Sequence, residues 1–461
     1  MLTRIEIDGF KSFENFKVDL APFVAILGTN AAGKSNLFDA IQLLSNLAGQ
    51  GVSDAIKGLR GEPMELFRRT ASGRATRMNF AVEVLLDPSV RDPWGSQVDV
   101  SHTRLRYEVD LEWREVSPGI PRVQVARERA AAISKSVETW RPAKGASPAF
   151  RKRHLKYGRT KTLLTTEEQE GKLTFNIHGD GKQGRVRPAS AAEATVLSSI
   201  TNAEFPHLFA LREELRSWRM LQLDPALLRR PVPATVGDLL WPNGGNLAAV
   251  LARIKAETRS DSRRNGALSD IAADLNALIP GVSSLNAELD SAANEYRVDL
   301  TMRDGLPFSS RVVSDGTLRI LALLTLLHDP RHRGLVCFEE PENGVHPARL
   351  KQLVRRLQAM VTRPDTFEEG DEALLSQLLL NSHSPLVLSA LVGTDFHPLS
   401  DPVFFADMAS AVADGEVRRH TRLREVTAAE QLRLPGGAQE AAPAVSRFEV
   451  EALLNTAQPE A

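Results

Sequence analysis

The chain has 461 residues, a length that favours about three domains. Apolar residues make up 42% and charged residues 25%, as in globular proteins, and the net charge of −1 gives no overall field that would attract nucleic acid. The single cysteine, Cys337, excludes both a disulfide framework and a cysteine-based zinc site.

The first segments of the chain have the alternating pattern of strands. Apolar and polar side chains alternate within residues 1–20, which predicts a hairpin, and strand-like runs follow at 78–86 and 103–109. Together these runs predict an antiparallel β lobe. The N-terminal stretch lacks the apolar core of a signal peptide, and no apolar run approaches the ~20 residues that cross a bilayer. We therefore expect a cytoplasmic protein with no membrane partner.

A glycine-rich loop separates an apolar strand, 23–27, from an amphipathic helix. The loop reads G-x-x-x-x-G-K-S, and between a strand and a helix its backbone N–H groups can surround phosphate oxygens. We expect Lys34 to reach the β- and γ-phosphates of ATP and Ser35 to bind Mg²⁺. A chance glycine-rich turn is the alternative. The residues assigned to the nucleotide in this segment are Gly28, Thr29, Asn30, Ala31, Ala32, Gly33, Lys34, Ser35 and Asn36.

The interval between this loop and the next motif is longer than a nucleotide-binding head requires. Residues 110–190 are charged and are predicted to be poor in strands, whereas 191–290 are predicted to be mainly helical. The interval has no sustained heptads, which excludes a long coiled coil. We therefore expect a large mixed and helical insertion.

One segment of the insertion, 151–161, is strongly basic and contains no acid. Contacts between its cations and phosphates would give salt-sensitive DNA binding without sequence preference. The aromatic residues Phe150, His154 and Tyr157 interleave with the cations. A solvated hairpin or a surface for an acidic partner protein is the alternative. The cations of this basic patch are Arg151, Lys152, Arg153, Lys156, Arg159 and Lys161.

Two adjacent acids follow a strand in the last third of the chain. The apolar run 335–338 predicts a buried parallel strand, and it ends in Glu339 and Glu340. Ligands bind at the carboxyl edge of such sheets, so Glu339 could hold Mg²⁺ and Glu340 could orient or deprotonate an attacking water. A pair of solvated acids is the alternative.

Two further segments carry candidate site residues. Ser314, Asp315 and Gly316 open an apolar helix, a position that suits a phosphate, although serine and aspartate are also common N-caps. The run 378–380 predicts a strand that leads to His383. This histidine could contact a γ-phosphate, or it could be structural.

The order of these motifs resembles the ABC-type ATPase head shared by SMC, RecF and OLD proteins. The opening run 9–13 is most similar to SMC heads. By contrast, 314–319, 340–347 and 382–385 look more like compact bacterial predicted ATPases of the AAA group that are classed with OLD. The resemblance covers residues 1–50 and 235–415. It implies a P-loop NTPase of ABC type, an α/β fold with a mostly parallel core sheet beside the antiparallel lobe.

The resemblance also implies how the motifs work. Two heads would sandwich two ATP molecules in a twofold dimer, with Ser314, Asp315 and Gly316 of one subunit facing the γ-phosphate bound by the other. Glu339 would then bind the metal, Glu340 would be the general base, and His383 would sense the γ-phosphate. Lys11 and Ser12 occupy positions at which related heads touch the nucleotide.

Two features depart from the family's pattern. Glu339 stands where aspartate is usual, and Mg²⁺ demands near-octahedral geometry, so the longer side chain leads us to expect slow hydrolysis. The glutamine that usually completes the metal site has no clear counterpart. Gln222 is a candidate, and an ordinary strand residue is the alternative.

The motifs divide the chain into four predicted parts. These are an N-terminal head lobe with the P-loop (1–109), an inserted region (110–295), a C-terminal head lobe (296–415) and a tail without a motif (416–461). The tail is too short for the nuclease domain that follows the head in OLD enzymes. Any nuclease is therefore expected to act in trans.

Three functions are compatible with these motifs. The first is an ATP-hydrolysing, nucleotide-switched dimeric scaffold or sensor that controls a partner effector such as a nuclease, plausibly in phage defence. The second is a RecF-like repair ATPase that binds duplex DNA directly. The third is an ATPase subunit of a transporter, against which the long insertion and the SMC-like opening argue.

Overall fold

The computed structural model of the protein describes residues 1–70, 73–117, 120–159, 161–169, 171–179, 184–234, 239–371, 374–392, 401–413, 416–427 and 444–456. Contacts group the chain into two compact units. Unit 1 comprises Met1–Trp218, Thr362–Gln377 and Pro398–Ala461, and unit 2 comprises Arg219–Val361 and Leu378–His397. The four-part division inferred from the motifs stays a prediction.

The strands are numbered in chain order. The first eight are β1 (Leu2–Asp8), β2 (Phe16–Asp19), β3 (Phe23–Gly28), β4 (Arg69–Thr70), β5 (Gly73–Arg74), β6 (Arg77–Leu85), β7 (Ser89–Arg91) and β8 (Gln97–Asp99). The next eight are β9 (Arg104–Ser117), β10 (Ile120–Ala132), β11 (Thr162–Gln169), β12 (Lys172–Ile177), β13 (Arg185–Pro188), β14 (Arg219–Leu221), β15 (Val232–Pro233) and β16 (Val282–Asp290). The remaining strands are β17 (Glu295–Met302), β18 (Pro307–Ser309), β19 (Gly334–Glu339), β20 (Ser376–Ser382), β21 (Val403–Ala413), β22 (Glu416–Thr427) and β23 (Val445–Ser446).

The α-helices follow the same order. They are α1 (Lys34–Leu47), α2 (Val52–Lys57), α3 (Arg141–Gly145), α4 (Pro148–His154), α5 (Pro206–Arg216) and α6 (Pro225–Leu228), then α7 (Leu247–Thr258), α8 (Leu268–Leu278), α9 (Asp315–Leu327), α10 (Pro347–Ala359), α11 (Pro385–Val392) and α12 (Arg447–Thr456). No helix in the described part of the chain is long and apolar enough to cross a bilayer.

The larger sheet of unit 1 is antiparallel and has eight strands in the order β13-β12-β11-β10-β9-β6-β1-β2. The antiparallel lobe predicted from the N-terminal segments is therefore confirmed. The prediction that residues 110–190 are poor in strands is wrong, because β9 to β13 run through that interval. Many charges of this interval face neighbouring strands and form ion pairs with them. Glu112 of β9, for example, contacts Arg77 of β6 at 3.1 Å, and Arg127 of β10 contacts Glu108 of β9 at 2.9 Å.

The core beneath this sheet includes a buried ion pair. Arg104 is fully buried, and its Nε donates to Glu138 Oε2 at 2.7 Å. Its guanidinium also lies over the ring of Trp140, 5.5 Å from the centroid. Trp140 packs in an apolar cluster with Phe150 and Phe367, so α3 and α4 are fixed to the sheet. Breaking such a buried pair is strongly destabilising because it leaves one charge without compensation.

The second sheet region of unit 1 contains β3, β21, β22 and β23. β3 pairs in parallel with β21, β21 pairs antiparallel with β22, and β22 pairs in parallel with β23. All six residues of β3 are buried. A strand covered on both faces has a continuous apolar sequence, which is why the run 23–27 predicts a strand correctly.

Unit 2 contains a parallel strand pair and a separate antiparallel sheet. β14 is parallel to β19, which is followed in the sheet by β20. The predicted buried parallel strand and the mostly parallel core sheet are therefore confirmed. β15, β16, β17 and β18 form the antiparallel sheet, against which α7 and α8 pack. The interval 191–290 thus holds the predicted helices together with short strands.

Candidate nucleotide-binding site

The glycine-rich loop lies in unit 1 between β3 and α1, as predicted. Its backbone has positive φ at Ala31 (63°) and Gly33 (88°), and Gly33 is the N-cap of α1. Gly28 has no room for a side chain, because an added Cβ would lie 2.5 Å from the carbonyl oxygen of Ala406. Because Gly33 has no side chain, it cannot accept a hydrogen bond from the first turn of α1. The backbone N–H groups of this turn are therefore suited to bind an anion.

The lysine of this loop is held by the loop itself. Lys34 Nζ donates to the carbonyl oxygens of Gly28 at 2.6 Å and Thr29 at 2.8 Å. Asn30 and Ala31 are exposed at the tip of the loop, whereas Ala32 is buried beneath it. The ammonium group of Lys34 therefore contacts backbone carbonyl oxygens of the same turn that would surround the phosphates.

Lys11, predicted to lie near the nucleotide, belongs to a charge cluster at α1. The residue has a positive φ of 46°, and its Nζ contacts Asp39 Oδ2 at 2.5 Å. Arg60 donates to the other carboxylate oxygen of Asp39 and to the carbonyl oxygen of Ser35, at 3.0 Å in each case. Asp39 is buried in α1, so this cluster fixes the helix that follows the loop. Sequence reasoning missed Asp39 and Arg60 as partners of Lys11.

Ser12, the second residue predicted near the nucleotide, contacts the loop from a different side. Its Oγ accepts from Asn36 Nδ2 at 2.8 Å and lies 2.7 Å from Thr421 Oγ1. Ser12 and Asn36 are therefore brought together with a residue of β22. Thr421 falls in the tail for which the sequence offered no motif.

Unit 2 holds the acid pair at the end of β19. Glu340 has a positive φ of 52°, a conformation that costs about 1–3 kcal/mol for a residue with a side chain. Its backbone N–H donates to the carbonyl oxygen of Asn381 at 2.9 Å, and Asn381 Nδ2 donates to Glu339 Oε1 at 3.2 Å. The turn after β19 is thus attached to the end of β20, the strand that leads to His383.

The predicted base and the predicted sensor are in contact. His383 Nδ1 lies 3.1 Å from Glu340 Oε1, and Asn343 Nδ2 donates to Glu340 Oε2 at 2.6 Å. Both side chains of the Glu340–His383 pair are partly exposed, at 42% and 36%. The carboxylate is therefore oriented from two sides and remains accessible to solvent. Their catalytic roles stay predictions.

A second carboxylate supports this arrangement and was missed in the sequence. Glu342 is half-buried, and burial raises the pKa of its carboxyl group above its usual value. The Ser382 hydroxyl donates to Glu342 Oε1 and accepts the N–H of Ser384 at 2.9 Å. The loop around His383 is therefore tied to the turn around Glu340 by side chains on both segments.

The turn 314–316 opens α9 in unit 2. Ser314 is the N-cap, and its Oγ accepts the backbone N–H of Thr317 at 3.3 Å. Asp315 forms an ion pair with Arg229, which also donates to the carbonyl oxygen of Val313 at 2.7 Å. Ser314 is an N-cap in the free chain, so its predicted phosphate contact stays a prediction. Arg229 was not recognised from the sequence.

Gly316 is required by a close backbone contact with the loop after the acids. An added Cβ at Gly316 would lie 2.5 Å from the carbonyl oxygen of Gly344. Gly344 itself has a positive φ of 88°. The helix N-terminus and the loop after Glu340 therefore meet through two glycines without side chains between them.

The predicted magnesium ligands fit a hydrated ion better than a protein cage. Among the described residues no group of three or more His, Cys, Asp or Glu side chains could hold a metal. Mg²⁺ in nucleotide sites keeps several waters and takes only one or two protein oxygens besides phosphate. The Ser35 hydroxyl of unit 1 and the Glu339 carboxylate of unit 2 are each an oxygen ligand of the kind that Mg²⁺ takes, and their metal roles stay predictions. Gln222 lies one residue after β14 and donates its backbone N–H to Pro242 at 2.9 Å, and its predicted metal role stays a prediction.

The basic patch is partly neutralised by an acidic loop of unit 1. Lys152 pairs with Glu369 at 2.9 Å, and Arg153 donates to the carbonyl oxygen of Asp371 at 2.6 Å. Phe150 and His154 point into the core, where burial lowers the pKa of His154 to about 4. These two rings are therefore unavailable for stacking on bases.

Comparisons with known protein families give two sequence matches. A family model described as "AAA domain, putative AbiEii toxin, Type IV TA system" matches residues 149–389. A second model, described as "AAA ATPase domain", matches residues 1–82. No curated protein matches the sequence.

Among solved structures, the chain is distantly similar to SMC heads. An SMC head bound to the C-winged helix domain of ScpA has 14% identity and a TM-score of 0.48, with 91% of this chain and 98% of that chain covered. The SMC head domain from Thermotoga maritima has 10% identity and a TM-score of 0.38, with 92% and 98% covered. An SMC head with a coiled coil and joint from Pyrococcus yayanosii has 11% identity and a TM-score of 0.45, with 99% of each chain covered.

Proposed function

Because the chain belongs to the family described as "AAA domain, putative AbiEii toxin, Type IV TA system", we propose that it binds and hydrolyses ATP and uses this cycle to control a partner. Family membership agrees with the ATPase head that the motifs resembled. The proposal assigns phosphate binding to the loop 28–35 of unit 1. It assigns the hydrolytic step to Glu340 and His383 of unit 2.

The contacts of Glu340 carry the proposal for hydrolysis. Its carboxylate is oriented by His383 on one oxygen and by Asn343 on the other, and its backbone is held in a strained conformation. Strain of this kind persists where the surrounding structure enforces it, which is common at active sites. A carboxylate that is buried in an ordinary turn requires neither a strained backbone nor a solvent-accessible edge, whereas Glu340 has both.

The proposed reaction gives each of these residues one role. A water oxygen attacks the γ-phosphorus and its proton passes to Glu340, while the bond between the γ-phosphorus and the bridging oxygen breaks to give ADP and phosphate. Lys34 would exchange its two loop carbonyls for phosphate oxygens, which are stronger acceptors because they are charged. Mg²⁺, held by Ser35 and Glu339, would neutralise charge on the phosphates.

We further propose that the active form is a dimer in which α9 of one subunit completes the site of another. The turn 314–316 supports this, because a helix N-terminus with a small-residue turn favours an anion. Asp315 alone would repel a phosphate, but its ion pair with Arg229 compensates its charge. The description of the matched family, which names a toxin of a toxin–antitoxin system, supports a defence role, and the effector in trans is part of our proposal.

Direct binding of duplex DNA is the second candidate function. The exposed side chains of Arg151 and Arg159 favour it. The ion pair of Lys152 with Glu369 and the hydrogen bond of Arg153 to the carbonyl oxygen of Asp371 weaken it, because fewer cations can then release counterions from phosphate. For this reason we rank the nucleotide-switched scaffold first.

The ATPase proposal is tested with two substitutions and two controls. Lys34→Ala should abolish ATP binding, whereas Glu340→Gln should bind ATP and lose hydrolysis by roughly 10²–10⁴-fold, the usual contribution of a general base. Lys57→Ala and Glu368→Gln make the same chemical changes at exposed positions and should leave both quantities unchanged. Phosphate release and nucleotide affinity are the measurements. If Glu340→Gln turns over at the wild-type rate, the base assignment is wrong.

A further inference from the structure

A threonine of the C-terminal hairpin packs against the glycine-rich loop. Thr421 lies in β22, far from the loop in sequence, and is only 2% exposed. Its hydroxyl occupies the space that a side chain at Gly33 would need, because an added Cβ there would lie 1.9 Å from Thr421 Oγ1. The loop and β22 therefore fit each other at this point, and the absence of a side chain at Gly33 is necessary for the contact.

Thr421 is attached to two segments that flank the loop. Its backbone N–H donates to the carbonyl oxygen of Ser12 at 2.9 Å. Its hydroxyl lies 2.7 Å from Ser12 Oγ and donates to the carbonyl oxygen of Ala32 at 3.2 Å. Ala32 is the buried residue directly before the N-cap of α1. A single side chain thus fixes the end of the loop.

The donors and acceptors of these contacts run in one direction. Asn36 Nδ2 donates to Ser12 Oγ at 2.8 Å, and Ser12 can then donate its one proton to Thr421. Thr421 in turn donates to Ala32, so that each hydroxyl accepts one hydrogen bond and donates one. Hydrogen bonds in such a chain polarise one another, and burial strengthens them. The series of hydrogen bonds begins at Asn36, in the first turn of α1, and ends at Ala32, so both of its ends lie in the glycine-rich segment.

We propose that Thr421 is a positioning residue that holds the glycine-rich loop in its phosphate-binding conformation. The inference rests on the proposed ATP binding, to which it adds a contribution from the C-terminal hairpin. The loop has positive φ at Ala31 and Gly33, and such backbone is costly to order at the moment of binding. The hydroxyl of Thr421 orders it before the nucleotide arrives.

Two variants that both lack the methyl group isolate the hydroxyl. Thr421→Ser keeps the donor and acceptor, whereas Thr421→Ala removes them. We expect ATP affinity to stay within about twofold of wild type for Thr421→Ser and to fall about tenfold for Thr421→Ala, as for the loss of a net hydrogen bond or two. Thr421→Val, which keeps the volume, should behave like Thr421→Ala. Thr427→Val removes a hydroxyl from the same strand at its far end and should change nothing.

Hydrogen exchange of the free protein separates this inference from the proposed function. Without nucleotide, amides of residues 28–36 should exchange faster in Thr421→Ala than in Thr421→Ser, while the exchange of β6 and β9 stays the same in both. Equal protection and equal affinity in the two variants would overturn the inference. A difference in exchange, together with no ATP binding by the wild-type protein, would uphold the contact and refute the proposed function alone.

Discussion

A buried carboxylate makes the stability of unit 1 depend on pH in a direction opposite to that of most acids. Glu128 in β10 is fully buried and accepts three hydrogen bonds, from Tyr107 Oη at 2.9 Å, Leu197 N at 3.0 Å and Val196 N at 2.5 Å. Burial raises its pKa from 4.5 to about 7. The segment 195–197, which Glu128 holds through these backbone hydrogen bonds, also contacts α1: Thr195 Oγ1 donates to the carbonyl oxygen of Leu47 at 2.8 Å.

The sign follows from where the proton resides. Between pH ~4.5 and pH ~7 the folded protein keeps a proton on Glu128 that the unfolded chain has released, so raising the pH in this window destabilises the fold. One pKa unit corresponds to about 1.4 kcal/mol, so the whole window amounts to roughly 3 kcal/mol. About 2 kcal/mol of that change falls between pH ~5.5 and pH ~7.5.

Glu128→Gln removes the titration and keeps the size of the side chain. The free energy of unfolding, measured by denaturant titration, should fall for the wild type relative to Glu128→Gln by about 2 kcal/mol from pH ~5.5 to pH ~7.5. Three buried or half-buried histidines have the opposite slope, because desolvation lowers their pKa to about 4 and the unfolded chain protonates first as the pH falls. They are present in both proteins, so their contribution cancels. A difference that does not vary with pH would refute the reasoning. These histidines are His154, His207 and His332.

Two further predictions concern the proposed dimer and the basic patch. Ser314→Arg should abolish hydrolysis but change ATP affinity little, because the glycine-rich loop that binds the phosphates belongs to unit 1 and Ser314 does not. Mixing Ser314→Arg subunits with Lys34→Ala subunits should restore at most one of the two composite sites. Hydrolysis at the wild-type rate by Ser314→Arg would contradict completion of the site in trans. Replacing Arg151, Arg153, Lys156 and Arg159 by Glu should weaken DNA binding in a gel-shift titration, most strongly at ~50 mM rather than ~200 mM salt. Equal affinity of this variant and the wild type would instead assign the patch to a partner protein.

The sequence predicted the parallel strands well and the antiparallel sheet only in part. β3 and the run 335–338 of β19 are apolar because both faces are covered, and such runs are visible without a partner strand. β10 and the part of β9 beyond residue 109 are rich in charges, and that composition led to the prediction of a strand-poor segment. In the fold such charges pair across strands: Arg127 of β10, for example, contacts Glu108 of β9 at 2.9 Å, and Arg77 of β6 contacts Glu112 of β9 at 3.1 Å. A pairing that spans this many residues is not visible in a local pattern.

The candidate site shows the same division. Glu339, Glu340 and the loop 28–35 follow linear motifs, because each is made by consecutive residues at the end of a strand. Their partners come from other segments and have no motif of their own. Arg229 and Thr421 are examples, since each contacts a motif from a distant part of the chain. A single sequence cannot distinguish such an arginine or threonine from any other.

Three of the residues predicted to bind phosphate or to act in catalysis already have a partner within their own unit. They are Lys34, Lys11 and Glu340. Lys34 is bound by two loop carbonyls, Lys11 by Asp39, and Glu340 by His383 and Asn343. Nucleotide binding must therefore exchange existing contacts. For Lys34 the exchange is favourable, because a charged phosphate oxygen is a stronger acceptor than a carbonyl. For Lys11 the exchange would remove one of the two cations that neutralise the buried carboxylate of Asp39 and leave Arg60 as its partner. Lys11 is therefore better placed to hold α1 than to bind phosphate.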